Sequence, residues 1–167
     1  MTSKDRGIFF LRAVLGFGFL FAGLDKFFMW AGGTPFTAAG FLKGATGGQW
    51  LTQTNINPTH SFWVSLGQNA GAVSVINTLV VFGEIAIGVA LILGLATRFA
   101  AVSGVLMMGM FLVAQMDFAN GPFNEKVMYA VIAGTIAFVG AGAYALDSVV
   151  ARQVAARNIP LVKYALG

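Results

Sequence analysis

The chain contains no cysteine, which excludes disulfides, thiolate metal sites and any persulfide or reactive-thiol intermediate. Sulfur chemistry would have to be done by a partner. A single histidine, His60, excludes haem ligation by two histidines of one chain and gives no basis for a dedicated zinc or copper site. Charge is equally scarce: charged residues make up 10% of 167 residues against 57% hydrophobic, with a mean hydropathy of +0.80. Soluble domains carry about 25% charged residues, so an ordinary water-soluble domain is excluded. The net charge of +4 does not mark a nucleic-acid binder, because the ten basic residues form no patch and mostly flank apolar runs.

What is present is long apolar sequence. A membrane-spanning helix needs about 20 apolar residues, and four segments qualify: about 7–30, 72–95, 99–116 and 127–146. The expected fold is therefore an all-α integral membrane protein, a single domain of four transmembrane helices over residues 1–167. One long outer loop, 31–71, joins the first two helices, and residues 147–167 form a tail. Short connections after the second and third spans make neighbouring helices antiparallel. Lys4, Arg6, Arg98, Arg152, Arg157 and Lys163 fall on one side and Lys43 and Lys126 on the other, which places both termini in the cytoplasm by the positive-inside rule. Arg12 interrupts the first apolar run and no small-residue cleavage site follows in a polar context, so this run is expected to be a retained span rather than a signal peptide.

Small residues mark expected helix contacts, since close backbone approach must hold helices together in lipid. Gly16 and Gly23 offer them on the first span and Ala86 and Ala90 on the second. Ala133, Ala137, Ala141 and Ala145 form a stripe on the fourth.

Ionisable side chains within spans are costly and point to function or to helix pairing. Glu84 falls near mid-depth, and Arg12, about 10 Å from the middle of the first span, is its candidate partner. Two readings follow: a structural ion pair, or a carboxyl that donates or accepts protons beside a ligand with Arg12 poising it. Asp25, Lys26 and Asp117 lie at similar depth near the outer ends of their helices, with Gln115 nearby. They are either interfacial anchors or a polar pocket for a head group whose tail lies in lipid. Residues 36–46 read as a short amphipathic or re-entrant helix, and His60 and Trp63 as a cover over that pocket or as plain loop residues.

These residues carry a resemblance. Arg12-Ala-Val-Leu-Gly16 and Gly23-Leu-Asp25-Lys26-Phe27 in the first span, Gly83-Glu84 and Gly88 in the second, the ending Leu93-Gly94-Leu95-Ala96-Thr97-Arg98, and Gly40-Phe41-Leu42 in the loop resemble the DoxX/DoxD family, small four-helix membrane proteins that include the small subunit of thiosulfate:quinone oxidoreductase. The resemblance implies a multi-pass protein of a prokaryotic plasma membrane, quinone-linked redox chemistry and a partner subunit. It singles out Arg12, Lys26, Glu84 and Arg98 as family-pattern positions. The chain departs from it in having about twenty residues after the last span and no second extracytoplasmic domain.

Two function classes are thus expected. The first is a quinone-linked subunit of a membrane oxidoreductase for thiosulfate or another reduced sulfur donor. Glu84 and Arg12 are then its catalytic candidates and Asp25, Lys26, Asp117, Arg98, Gln115 and His60 the substrate- or quinone-binding ones, with quinone as ligand and no metal or haem. The second is a non-catalytic scaffold or assembly subunit of a larger complex. The lipid bilayer and a membrane or outer-face redox subunit are the expected partners, a homo-oligomer is left open, and nucleic acid is not a partner.

Overall fold

The computed structural model describes residues 3–155 and is mostly helical. Three helices are long and apolar enough to cross a membrane: α1 (Ser3–Ala31), α4 (Ala70–Leu93) and α5 (Thr97–Gln115). Each satisfies its own backbone polar groups, as spanning segments must. The Asn69 side chain starts α4 by accepting from the Ala72 N–H at 3.0 Å. Gly94, at φ +65°, ends it in the left-handed conformation that glycine adopts without steric cost.

The fourth apolar segment differs from the expected span 127–146. Its helix, α6 (Glu125–Val139), has 15 residues, about 22 Å of rise, and stops at Gly140, where φ is +91°. Residues 140–146 then run across the end of the bundle before α7 (Asp147–Ala155). The alanine stripe is therefore split. Ala133 and Ala137 lie on α6, whereas Ala141 and Ala145 belong to the non-helical segment and are buried there. Two glycines within three residues, Gly140 and Gly142, supply the left-handed turns that a continuous alanine face cannot reveal. Arg157 and Lys163 of the tail lie outside the described residues.

The helices associate as two antiparallel pairs, α1 with α4 and α5 with α6. Leu15 and Phe19 of α1, Leu91 of α4, Ala101 of α5, and Ala133 and Ile136 of α6 meet in a shared core. The α1–α4 contact is made by glycine. A methyl group at Gly88 would lie 2.5 Å from the Leu20 amide nitrogen and 2.8 Å from the Gly16 carbonyl. On α4 this contact surface is Gly88, not the expected Ala86, which is exposed.

Residues 32–69 cap one end of the bundle, called here the loop end. They contain α2 (Ala38–Gly40) continuing into a π-helical turn (Phe41–Ala45), a small hairpin of β1 (Gln49–Trp50) and β2 (Gln53–Thr54), and α3 (His60–Gln68). The short helix expected over 36–46 is thus present, and α3 adds one where the sequence suggested plain loop. β1 also pairs in parallel with β3 (Asp117–Phe118), just beyond α5. Asn57 fastens the cap: its amide donates to the carbonyls of Thr46 (3.0 Å) and Ala114 (2.7 Å), and its carbonyl accepts from the Thr59 N–H and hydroxyl.

Candidate functional site: a lipid-facing groove with an ion pair in its wall

Between α4 and α5 lies a groove of about 1310 Å³, roofed at the loop end by Phe36, Phe41, Leu42, Trp63 and Leu66. It runs along α4 from Ala72 to Ala90, about 27 Å at the helical rise. Several lining side chains, Leu79, Leu106 and Met110 among them, are exposed on the outer surface of the helices, so the groove opens toward the bilayer. Its charged lining residues are Lys26, Glu84 and Lys126.

Glu84 is paired with Lys26, not with Arg12. Lys26 Nζ lies 2.8 Å from Glu84 Oε2 and also donates to the Ala22 carbonyl at 3.1 Å. The ammonium stands 5.6 Å from the centre of the Phe36 ring, within cation–π range. The Glu84 residue is 3% exposed. The helix register explains the pairing. Gly23 packs against Ile85 and the Cβ of Glu84, while Gly94 packs against the Arg12 guanidinium. Arg12 is therefore about one half-helix from Glu84, roughly 16 Å along α1 from Gly23, beyond the reach of both side chains.

Arg12 is fully buried at the opposite end of the bundle. Its guanidinium donates to the carbonyls of Ala141, Ala143 (3.3 Å) and Tyr144 (3.0 Å), which gives the non-helical segment 140–146 backbone partners. Asp147, also fully buried, accepts from the Ala96 and Thr97 N–H groups at 2.6 and 2.9 Å. It thereby caps the start of α5 from fifty residues away in sequence. Arg12 and Asp147 attract each other electrostatically across this cluster. Arg98 stands in the first turn of α5, with a buried Nε that has no hydrogen-bond partner among the described residues.

The other sequence candidates do not assemble into one pocket. Asp25 is exposed on α1, because the residue next to Lys26 points about 100° away around the helix. Gln115 ends α5, and Asp117 sits in β3, where its carboxylate accepts from the Ala119 N–H at 3.1 Å. His60 Nδ1 lies 2.9 Å from the Thr46 hydroxyl, which itself donates to the Leu42 carbonyl. Neither Gln115, Asp117 nor His60 lines the groove. Lys126, assigned from the sequence only to topology, does line it, with its ammonium 3.0 Å from the exposed carboxylate of Glu125. The roles of Asn57 and Asp147 are not apparent from sequence patterning alone. The Asn57-Pro58 turn signal was available for the first, but the capping role of Asp147 depends on a tertiary contact that leaves no local signature.

The lining can hold a large apolar ligand with a few polar contacts. Binding sites are mostly apolar, with a small number of placed donors and acceptors. A lysine ammonium has three N–H donors; Glu84 and Ala22 take two, leaving a third able to meet an acceptor oxygen in the groove.

No curated protein and no solved structure matches the chain. A family model described as "DoxD: TQO small subunit DoxD" matches residues 8–166, which takes in both the Lys26–Glu84 groove and the Arg12–Asp147 cluster. On a match of that extent the chain belongs to the DoxD family.

Proposed function

We propose that this protein is a quinone-binding membrane subunit of a thiosulfate:quinone-type oxidoreductase, with the α4–α5 groove as its quinone site. The family description, a small subunit, supports the class of complex. The observation that carries the site is the Lys26–Glu84 pair set in the wall of a lipid-facing groove. A bound quinone accepts two electrons and two protons, the electrons coming from a reduced sulfur donor such as thiosulfate through a partner subunit. Lys26 is positioned to donate a hydrogen bond to a carbonyl oxygen. Glu84, held by Lys26, is the carboxyl able to carry protons to and from that oxygen. Arg12 and Asp147 support the fold at the far end of the bundle, where Arg98 also stands. In this reading the protein resides in a prokaryotic plasma membrane with both termini cytoplasmic, and the partner docks at the loop end.

The test is extraction of quinones from the full chain purified in lipid nanodiscs, with co-purifying polypeptides identified in the same sample. Near-stoichiometric quinone that is lost in Glu84→Gln and Lys26→Met, while both variants remain folded, is the expected result. A constant membrane partner without quinone would replace this reading with that of a scaffold subunit.

A further inference from the structure

The groove is not uniform along its length. Resting on the quinone reading, we infer that its two arms divide the ligand: the ring lies on the loop-end side of Lys26–Glu84, and the prenyl tail runs the other way, through a slot of small side chains on α4 and α5.

Gly83 of α4 faces Met107 of α5, which fixes the antiparallel register of these helices and puts Glu84 level with the middle of α5. On the loop-end side of that level aromatic rings stand among aliphatic side chains such as Leu66, Ile76 and Leu79. Phe36, Phe41, Trp63 and Phe111 line this arm, and Phe41 and Phe111 already meet edge to face with ring centres 6.2 Å apart. Flat π-systems prefer such edge and offset contacts, so this arm suits a planar ring. Lys26, beside Phe36, stands where the arm begins.

On the other side the lining is mostly small, with Ala86 and Ala90 of α4 facing Ala96, Ala100 and Ser103 at and in the start of α5, beside the larger Ile87 and Leu106 and with Phe99 near the mouth. Small apolar side chains here suit a flexible hydrocarbon and offer no stacking surface for a ring. The arm offers little to a head group: its one side-chain hydroxyl, on Ser103, already donates to the Phe99 carbonyl at 2.9 Å. Phe99 is 67% exposed, so a tail leaving the slot passes directly into lipid. Along the groove axis the loop-end arm instead terminates under buried Ala38, Leu42 and Trp63, so a tail there could leave only sideways, past Leu79 and Met110.

Two photoreactive polyprenyl benzoquinones test this on the full chain in nanodiscs, one carrying an azide on the ring and the other a diazirine at the far end of a short tail. Labelled peptides are mapped by mass spectrometry with and without excess unlabelled quinone. Competed ring labelling at Phe41, Trp63 or Phe111, with tail labelling between Ala86 and Ser103, is the expected pattern. The reversed pattern overturns the inference and leaves the quinone site standing. Absence of competed labelling anywhere in the groove removes the quinone reading together with it. A binding measurement gives a second readout. The double substitution Ala86→Leu/Ser103→Leu fills the slot and should lower the ratio of long-tailed to tail-less quinone affinity by about 10-fold, the value of about two excluded methylenes. An unchanged ratio overturns the inference.

Discussion

Lys26 and Glu84 meet at 2.8 Å because Gly23 lets α1 lie directly against the Glu84 turn of α4. The pair is asymmetric. Glu84 has a side chain 5% exposed, whereas that of Lys26 is 22% exposed and reaches the groove. Removing the amine therefore strands a buried carboxylate, while removing both charges leaves only a neutral amide to desolvate.

Substitution Lys26→Met is accordingly expected to destabilise the protein by about 3 kcal/mol, the scale for breaking a buried ion pair from one side. The double variant Lys26→Met/Glu84→Gln should recover most of that loss. Thermal unfolding in detergent, followed by loss of helical circular dichroism, measures both. If the double variant is as unstable as the single one, the pair contributes little as a pair.

The α1–α4 interface makes a sharper steric prediction. A methyl at Gly88 meets the backbone nitrogen of Leu20 at 2.5 Å and the Gly16 carbonyl at 2.8 Å, and backbone cannot rotate away as a side chain can. Gly88→Ala should cost about 1–3 kcal/mol, the range for overpacking. Gly109→Ala, with nothing within 4 Å of the added carbon, should be neutral or slightly stabilising, since alanine favours helix over glycine. Equal unfolding temperatures for the two variants would contradict the close contact.

Much of this architecture was legible in the sequence and some of it was not, for physical reasons. The spans of α1, α4 and α5 follow from apolar length, and Gly16 and Gly23 as contacts follow from residue size. The importance of Glu84 follows from the cost of a charge in lipid. Its partner did not follow, because choosing between Arg12 and Lys26 requires the α1–α4 register, and that register is set by glycines on both helices together. The helical part of the fourth apolar segment ends earlier than hydropathy suggests, because hydropathy does not distinguish a helix from a buried, glycine-turned segment whose carbonyls accept from Arg12. The groove itself is a property of how two helix pairs splay, which no single segment encodes.

Asp147 replaces a local cap. Ala96 precedes α5 and has no side-chain oxygen to offer, so the Ala96 and Thr97 N–H groups depend on the Asp147 carboxylate. Asp147→Ala should destabilise the protein by about 1–2 kcal/mol as a lost cap, and Arg12→Met should do further damage by leaving the carbonyls of Ala141, Ala143 and Tyr144 without their donor. Because both act on one cluster, their effects should not add. A double-mutant cycle on unfolding temperature checks this, and strict additivity would show the two residues to be independent.

Asn57 holds the cap to the bundle through its amide bonds to the Thr46 and Ala114 carbonyls, joining the π-helical turn to the end of α5. In Asn57→Ala both carbonyls lose their donor, at a cost of about 1–3 kcal/mol for buried acceptors left unpaired. That cost falls on the cap, because α1, α4, α5 and α6 keep their shared core without it. Hydrogen exchange should therefore accelerate over residues 38–66 and remain unchanged over 80–92. If exchange rises equally in both regions, the cap and the helices form one cooperative unit, and Asn57 supports the whole fold rather than the roof of the groove.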